Sequence, residues 1–420
     1  MKLKCANIGK LSSAEVEINA ITVIAGLNST GKSTVGKLLY SIFNTFYDIE
    51  HESAKTIASA LRRKLAESFV LFNDLEGLNV CADELLRNRG NIDVETVKGV
   101  VSRFLGQKYM ENKKESLFSD IYDILNLSDN EIYKRILQNR LYSEFNEQIQ
   151  NVYSEEENSD IVLTVDDKDI HVSIRNNSVY DIKTIENLKT EVIYIDDPFI
   201  VDYLPYQHSI SALAGHKGSL CRKLRASFKN DIDVDTTIKE ILTTKKLQNI
   251  YEKIDSACNG NIIANSRKGF VYQLEGSRKQ LSIVNLSTGL KTFSIIKTLL
   301  LNGSLENNGV LILDEPEIHL HPQWQNLFAE IIVLLQSEYG MHILINSHSP
   351  YFIDAIDSFS QIYGVRNLCK FYLANEDDKK ESSTLLDVSE DLSTIYDLLY
   401  KPMQEMEDRI ASHLEKIEND

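Results

Sequence analysis

The sequence is short of several things, and each shortage excludes something. Its five cysteines, Cys5, Cys81, Cys221, Cys258 and Cys369, are scattered without any C-x-x-C pair. That excludes a disulfide framework or a cysteine zinc site and fits reduced thiols. No apolar run approaches the roughly 20 residues that cross a bilayer. The opening MKLKCANIGKL is no signal peptide, so a cytoplasmic protein without membrane contact is expected. Positive charge is lacking too: 45 Lys and Arg against 62 Asp and Glu give a formal net charge of −17. A surface coated with phosphate-binding cations is therefore excluded, and any nucleic-acid contact has to use a local patch. There is no internal repeat, no low-complexity tract and no sustained a/d heptad of the kind that builds a long coiled-coil arm.

What remains is an ordinary globular composition, 43% hydrophobic and 25% charged over 420 residues, enough for one large domain or two to three smaller ones. The chain is organised around Ile21–Leu39. An apolar run, Ile21 to Ala25, leads into GLNSTGKS, Gly26 to Ser33, and a helical pattern follows. This fits G-x-x-x-x-G-K-[ST] in its strand-to-helix setting. The glycines let successive N–H groups turn inward towards anionic oxygens, and the helix adds its positive end. Lys32 would reach the β- and γ-phosphates, and the Ser33 hydroxyl would ligand Mg²⁺.

Two short strands are expected before this loop, around Leu3–Ile8 and Ala14–Ile18, and a helix over Lys32–Phe46. From about Asn44 to Tyr153 the periodicity is helical, clearest over Ile132, Ile136, Leu137, Leu141, Phe145, Ile149 and Val152. A helical insertion of about a hundred residues with its own small core is expected. Beyond it, Ile161–Val165 and Ile170–Ile174 read as a hairpin, Val192–Ile195 as a strand, and about Ser209–Ala257 as a second helical stretch. Phe270–Leu274 and Leu281–Val284 are further strands. Val310–Leu313, Pro322–Leu335 and His342–Asn346 then read as strand, helix and strand. The alternation implies a mostly parallel sheet interrupted by a helical lobe.

Three later stretches carry chemistry. Val310-Leu-Ile-Leu-Asp314-Glu315 has the form of a Walker B motif: Asp314 would hold Mg²⁺, and Glu315 would orient and deprotonate the attacking water. Leu286-Ser287-Thr288-Gly289-Leu290 precedes an apolar helix, and a Ser and a Gly there make either an anion site or a plain N-cap. His348, in NSHSP, sits just beyond another buried strand.

In this order, GLNSTGKS, LSTGLK, VLILDEPEIHLHP and INSHSP, the motifs resemble the ABC-type ATPases of the SMC, RecF and OLD group. The resemblance is carried by the first forty-five residues and by about Asn285–Ile356. It implies an α/β fold: a P-loop NTPase with an ABC-type head, a mixed and parallel sheet core plus antiparallel strands, and a helical insertion. Residues 1–45 and 155–205 would form the head's N-terminal lobe, 46–154 the insertion, 206–260 a helical lobe, 261–385 the C-terminal lobe, and 386–420 a helical tail. It also implies a dimer with ATP sandwiched between two copies, and room for a higher oligomer. Gly26, Asn28, Ser29, Thr30, Gly31, Lys32, Ser33 and Thr34 would bind the nucleotide of one copy, Ser287 and Gly289 would reach it from the other, and His348 would sense the γ-phosphate. The E-P-E-I-H-L-H-P stretch is similar to OLD-like ATPases of bacterial antiphage systems, among them Septu-type and retron-linked ones.

Two departures from that pattern stand out. Where the group carries a glutamine linking core and helical lobe, this chain has Ile195-Asp196-Asp197-Pro198, and Asp197 is the residue available as a substitute ligand. The acidic nuclease domain of OLD enzymes is absent from the sequence given, so no nuclease activity of its own is expected, and a separate effector such as a nuclease is the expected partner. Arg409 and His413 share a helical face, which ordinarily is a solvated one. His319 and His321 lack a neighbouring cysteine and serve better as turn residues than as a zinc site. His216, Lys217, Arg222, Lys223, Arg225 and Lys229 form the single basic cluster, a route for nucleic-acid contact or a solvated helix face. The expected function is an ATPase that senses or scaffolds in antiphage defence; the alternatives are a stand-alone DNA-processing ATPase and, further off, an anticodon-nuclease-type or transporter ATPase.

Overall fold

The computed structural model describes residues 1–69, 75–90, 92–104, 115–206, 213–226, 247–265 and 269–419. They form two compact units, one of 1–44, 139–186 and 190–420, the other of 45–138 with 187–189.

The larger unit is built on an eleven-stranded sheet in the order β6-β5-β4-β1-β2-β14-β13-β3-β12-β11-β7. One half is parallel: β3 (Ile21–Ala25) lies between β12 (His342–Ser347) and β13 (Lys370–Glu376), and β11 (Val310–Asp314) lies between β12 and β7 (Val192–Ile195). These strands are nearly continuous apolar runs, β3 and β7 buried throughout, as a sheet covered on both faces requires. The other half is antiparallel. β1 (Lys2–Ile8), β2 (Leu11–Glu17), β4 (Asn158–Val165) and β5 (Lys168–Arg175) alternate buried with more exposed positions, the pattern of a half-solvated sheet. The α/β class with a mixed sheet is the fold the family resemblance implied; the mostly parallel sheet read from the alternation alone is corrected by the antiparallel half, where β1 with β2 and β4 with β5 pair through short turns instead of helical crossovers.

Register sets up the site. Ser347 pairs with Ala25, and Asp314 with Asn346, so three parallel strands end together. That rim is where open α/β sheets bind ligands. The helix Lys32–Phe46 leaves β3, as anticipated. Helix Pro322–Tyr339 starts on proline and runs to Gly340, which closes it in the left-handed conformation (φ 64°). Helix Pro350–Ile362 is capped by the Ser349 hydroxyl, which accepts from the Phe352 N–H at 3.2 Å.

Several elements differ from the sequence reading. β6 (Ser178–Lys183) extends the expected hairpin to three strands; its polar, exposed edge composition hid it. β14 (Ser383–Asp387) pairs with both β13 and β2, inside a stretch that carries no long apolar run. A separate antiparallel sheet holds β8 (Gly260–Asn265), β9 (Gly269–Leu274) and β10 (Gln280–Ser282). The strand expected to reach Val284 stops at Ser282 because the buried Ile283 turns into a 3-10 segment, Ile283–Asn285. Of the second helical stretch, 215–225 and 247–257 are helical; 207–212 and 227–246, with Ile238, Ile241 and Leu242, lie outside the described residues. The C-terminal stretch is one helix, Ser393–Asn419, with Pro402 inside it. Its Ile395 is buried, while Met403, Met406 and Ile410 are exposed.

The smaller unit is helical, with Ile49–Phe69, Leu75–Arg87, Val94–Phe104 and Glu115–Asn126 enclosing a cluster of Leu61, Cys81, Leu85, Val101, Ile121 and Leu125. Asp93 starts one helix by accepting the Thr96 N–H at 2.7 Å.

Candidate nucleotide site

The loop between β3 and its helix has the shape its glycines allow. Gly31 has a positive φ of 84°, and a Cβ there would meet the Leu11 side chain at 3.2 Å; only glycine takes this position without strain. Asn28 and Ser29 stand exposed at the tip, while Thr30 is buried and its hydroxyl donates to the Leu27 carbonyl at 2.9 Å. Thr34 is buried behind the loop. Lys32 is 4% exposed, and its Nζ donates to the carbonyls of Gly26 (3.0 Å) and Leu27 (2.7 Å). Burial pulls the Lys32 ammonium below the usual lysine range, against the opposing carboxylates of Glu315, Asp314 and Glu317. A cavity of about 320 Å³ opens over the loop, bordered by Lys32, Ser33, Thr34, Lys37, Phe145 and Glu315, with Gly9 and Lys10 on its far rim.

The two carboxylates at the end of β11 behave differently. Asp314 is tethered: Tyr194 donates its hydroxyl to Oδ2 at 2.9 Å, and Asn346 donates its amide to Oδ1 at 3.0 Å. Glu315 is held by its backbone instead. It has a left-handed φ of 48°, and its N–H donates to the Asn346 carbonyl at 2.8 Å. Such a conformation costs about 1–3 kcal/mol for a non-glycine residue and is typical of functional sites. The Glu315 carboxylate lies 3.8 Å from Lys32 Nζ and 3.2 Å from His348 Nδ1. Glu317 sits beneath, 2% exposed, accepting from the Ser347 hydroxyl at 2.5 Å and the His348 N–H at 3.3 Å. Burial pushes its carboxyl up, and the Ser347 hydroxyl and His348 oppose that. Lys32, Asp314, Glu315 and His348, up to 316 residues apart in sequence, thus meet at one strand rim.

A second cavity of about 410 Å³ adjoins the same carboxylates and is bordered by Asp196, Asp197, Lys217, Asp314, Glu315 and His319. Asp197 caps the 3-10 turn Pro198–Tyr203 by accepting the Phe199 N–H at 2.8 Å. Asp196 is instead neutralised by His216 (3.0 Å) and Lys217 (3.2 Å). Burial favours the neutral Asp196, yet these two cations hold it below the usual carboxylate range. Burial works against the charged form of His216 too, but Asp196 and Glu144 raise it to about 9. Among the described residues no group of three or more His, Cys, Asp or Glu gathers as a metal site. The donors at hand, one hydroxyl at Ser33 and one carboxylate at Asp314, fit Mg²⁺, which takes few protein ligands and completes its octahedron with phosphate and water.

Ser287 lies apart from both cavities' borders. It is exposed, and it precedes helix Thr288–Leu301 without a side-chain capping bond. Gly289 is buried, and a Cβ there would meet the Trp324 ring at 2.5 and 2.6 Å. The basic cluster is largely committed within the chain. His216, Lys217 and Lys223 face Glu144, Asp196 and Glu191, and Arg225 lies over the Phe270 ring. Arg222 is exposed, and Lys229 lies outside the described residues. His321 accepts the Gln323 N–H as a helix cap, and His319 packs edge-on to Phe199. Arg409 and His413 are exposed on the C-terminal helix. Sequence reasoning missed Tyr194, Asn346, Glu144 and Phe145. Tyr194, Glu144 and Phe145 come from elements with no motif of their own, Asn346 sits in INSHSP without a role assigned to it there, and only tertiary contact brings each to the site.

Residues 1–353 match the AAA ATPase domain family. Among curated proteins, the chain is 32% identical over 90 residues to the "Retron Vc95 probable ATPase" of Vibrio cholerae serotype O1 biovar El Tor, covering 19% of this chain and 17% of that one. It is 32% identical over 102 residues to the "Retron Ec83 probable ATPase" of Escherichia coli, covering 22% and 18%. The matches thus span less than a fifth of those relatives. Among solved structures, an Smc head bound to the C-winged helix domain of ScpA aligns with 94% of this chain and 98% of its own at a TM-score of 0.43 and 10% identity. The Smc head with an extended coiled coil from Pyrococcus furiosus, bound to the C-terminal domain of ScpA, aligns over 97% and 98% at 0.42 and 11%. With the family match running over most of its length, the chain belongs to the AAA ATPase domain family.

Proposed function

We propose that this protein binds and hydrolyses ATP at the rim of β3, β11 and β12, and that a second copy of the chain completes the site. The observation that carries this reading is the convergence of Lys32, Asp314, Glu315 and His348 at the rim, while Ser287 is exposed elsewhere with an uncommitted hydroxyl. In the Michaelis complex Lys32 exchanges its two loop carbonyls for β- and γ-phosphate oxygens, and the loop N–H groups hold the rest of the anion. Asn28, Ser29, Thr30 and Thr34 shape that bed. Phe145, whose ring has the Lys37 ammonium over it, borders the same cavity with Gly9 and Lys10. Ser33 and Asp314 would hold Mg²⁺, which when bound neutralises charge developing on the transferred phosphoryl group. Glu315 positions the attacking water and takes its proton, and His348 beside it responds to the γ-phosphate. Ser287, with the helix N-terminus at Gly289, would reach that phosphate from the partner copy.

Replacing Glu315 with Gln removes the base and keeps the shape of the site. Turnover should fall by roughly 10²–10⁴ with ATP binding retained. Wild-type turnover in Glu315→Gln contradicts the assignment.

The two retron ATPase matches support a wider reading, in which nucleotide-controlled opening and closing of the dimer restrains or releases a separate toxic effector in antiphage defence. Stable co-purification with the product of a neighbouring reading frame, lost in a variant that cannot bind ATP, tests it. DNA-stimulated hydrolysis that weakens steeply with salt would point instead to DNA processing.

A further inference from the structure

Behind Asp314 lies a side-chain cluster that the motif chemistry does not use. β7 and β11 pair in parallel with Tyr194 opposite Ile312, so Tyr194 and Asp314 stand on the same face of the sheet. The Tyr194 hydroxyl and the Asn346 amide each donate to one oxygen of Asp314. Each oxygen therefore keeps a lone pair for a further ligand, and the carboxylate cannot rotate without breaking a bond.

The helix that follows the P-loop packs against the ring through Gly36. A Cβ on Gly36 would stand 3.1 Å from Ile312 Cγ2 and 3.5 and 3.6 Å from Tyr194 Cζ and its hydroxyl. Glycine inside a helix costs about 1 kcal/mol relative to alanine; a methyl here would press on Ile312, while the Tyr194 ring lies at ordinary van der Waals distance. The ring is also held from the side. His216 stacks on it, centroids 4.3 Å apart and planes 23° apart. Both His216 nitrogens face carboxylates: Nδ1 is hydrogen-bonded to Glu144 Oε2 at 2.6 Å and Nε2 lies 3.0 Å from Asp196 Oδ2 as an ion pair without hydrogen-bond geometry, while the His216 backbone N–H donates to Glu144 Oε1 at 2.8 Å. Glu144 is 5% exposed and His216 8%.

We propose that Tyr194 is a positioning residue for Asp314, presetting the carboxylate to receive the metal, and that His216, clamped by Glu144 and Asp196, fixes the Tyr194 ring. This rests on the reading of Asp314 as the metal-binding carboxylate. A ligand already oriented by outer hydrogen bonds does not have to be ordered when the metal arrives, and loss of such bonds typically weakens metal affinity by about 10–100-fold.

The test uses the full chain carrying Glu315→Gln, with ATP present, and titrates Mn²⁺ by electron paramagnetic resonance as a probe for the Mg²⁺ position. Tyr194→Phe should weaken Mn²⁺ binding about tenfold and leave ATP binding in EDTA unchanged. With Glu315 restored, it should lower kcat and not KM. His216→Gln should weaken Mn²⁺ less, and the double variant should be no worse than Tyr194→Phe alone, since His216 acts through the ring. His216→Gln reads the same titration should Tyr194→Phe not fold. Mn²⁺ affinity unchanged in Tyr194→Phe while Asp314→Asn loses it overturns this inference alone, as does a lowered melting temperature with unaltered Mn²⁺ affinity. Undiminished Mn²⁺ binding in Asp314→Asn overturns both the inference and the reading it rests on.

Discussion

The P-loop and the Ser287 stretch are both short polar turns leading into a helix, yet the chain treats them differently. The P-loop is enclosed. Its lysine is buried, two of its carbonyls are engaged, and Glu315 borders its cavity with His348 beside it. At Ser287 the hydroxyl is exposed and caps nothing, and the residue two positions on is packed under Trp324. One half is finished by the chain itself, and the other offers a rigid base with a bare tip. On the proposal that a second copy completes the site, the bare Ser287 hydroxyl is the part left for the partner.

The largest effect expected is from Lys32→Ala. It removes the charge at the floor of the enclosed half, and hydrolysis should fall by at least about 10³ with ATP binding lost in equilibrium titration. Nucleotide binding at wild-type affinity would break the comparison at its stronger end. Next comes Ser287→Arg. It should abolish ATP-induced association and lower turnover about a hundredfold, while each subunit still binds ATP. A turnover defect without an association defect would mean that Ser287 acts within its own subunit.

Stability separates the halves further. The His216 pKa is raised in the fold to about 9, against about 6.5 unfolded. Its contribution is thus fully present below about pH 6.5 and is lost as pH rises through about 9, a difference of up to about 3 kcal/mol. Urea unfolding at both ends of that window should show wild type losing this margin and His216→Gln not; parallel behaviour refutes the charge network. The smallest effect belongs to Gly289→Ala. Its methyl would press on the Trp324 ring, costing about 1–3 kcal/mol by overpacking, read as a lowered melting temperature. Gly289 variants are therefore poor probes of association, and Ser287 variants clean ones.

How far the sequence could be read follows the same division. Elements set by neighbours along the chain were legible: the strand-to-helix turn at GLNSTGKS, the Lys32–Phe46 helix, and the buried strands β3, β7, β11 and β12, whereas β13 was given no bounds. The alternating β1 and β2 were legible too. β6, β8 and β14 were not, because their polar or short segments gain strand character only by pairing. The basic cluster read as a stripe because its partners, Glu144, Glu191 and Asp196, come from elements that no local pattern links to it. Tyr194 looked like one more residue of a buried strand, and only the register with β11 gives its hydroxyl a carboxylate to hold.

The central claim is that ATP joins the enclosed half of one copy to the exposed half of another. Its most direct test is the solution mass of Glu315→Gln by light scattering, with Mg²⁺ and either ATP or ADP. A doubled mass with ATP, absent with ADP and absent when Ser287→Arg is added, is the predicted result. A mass that ATP leaves unchanged contradicts it.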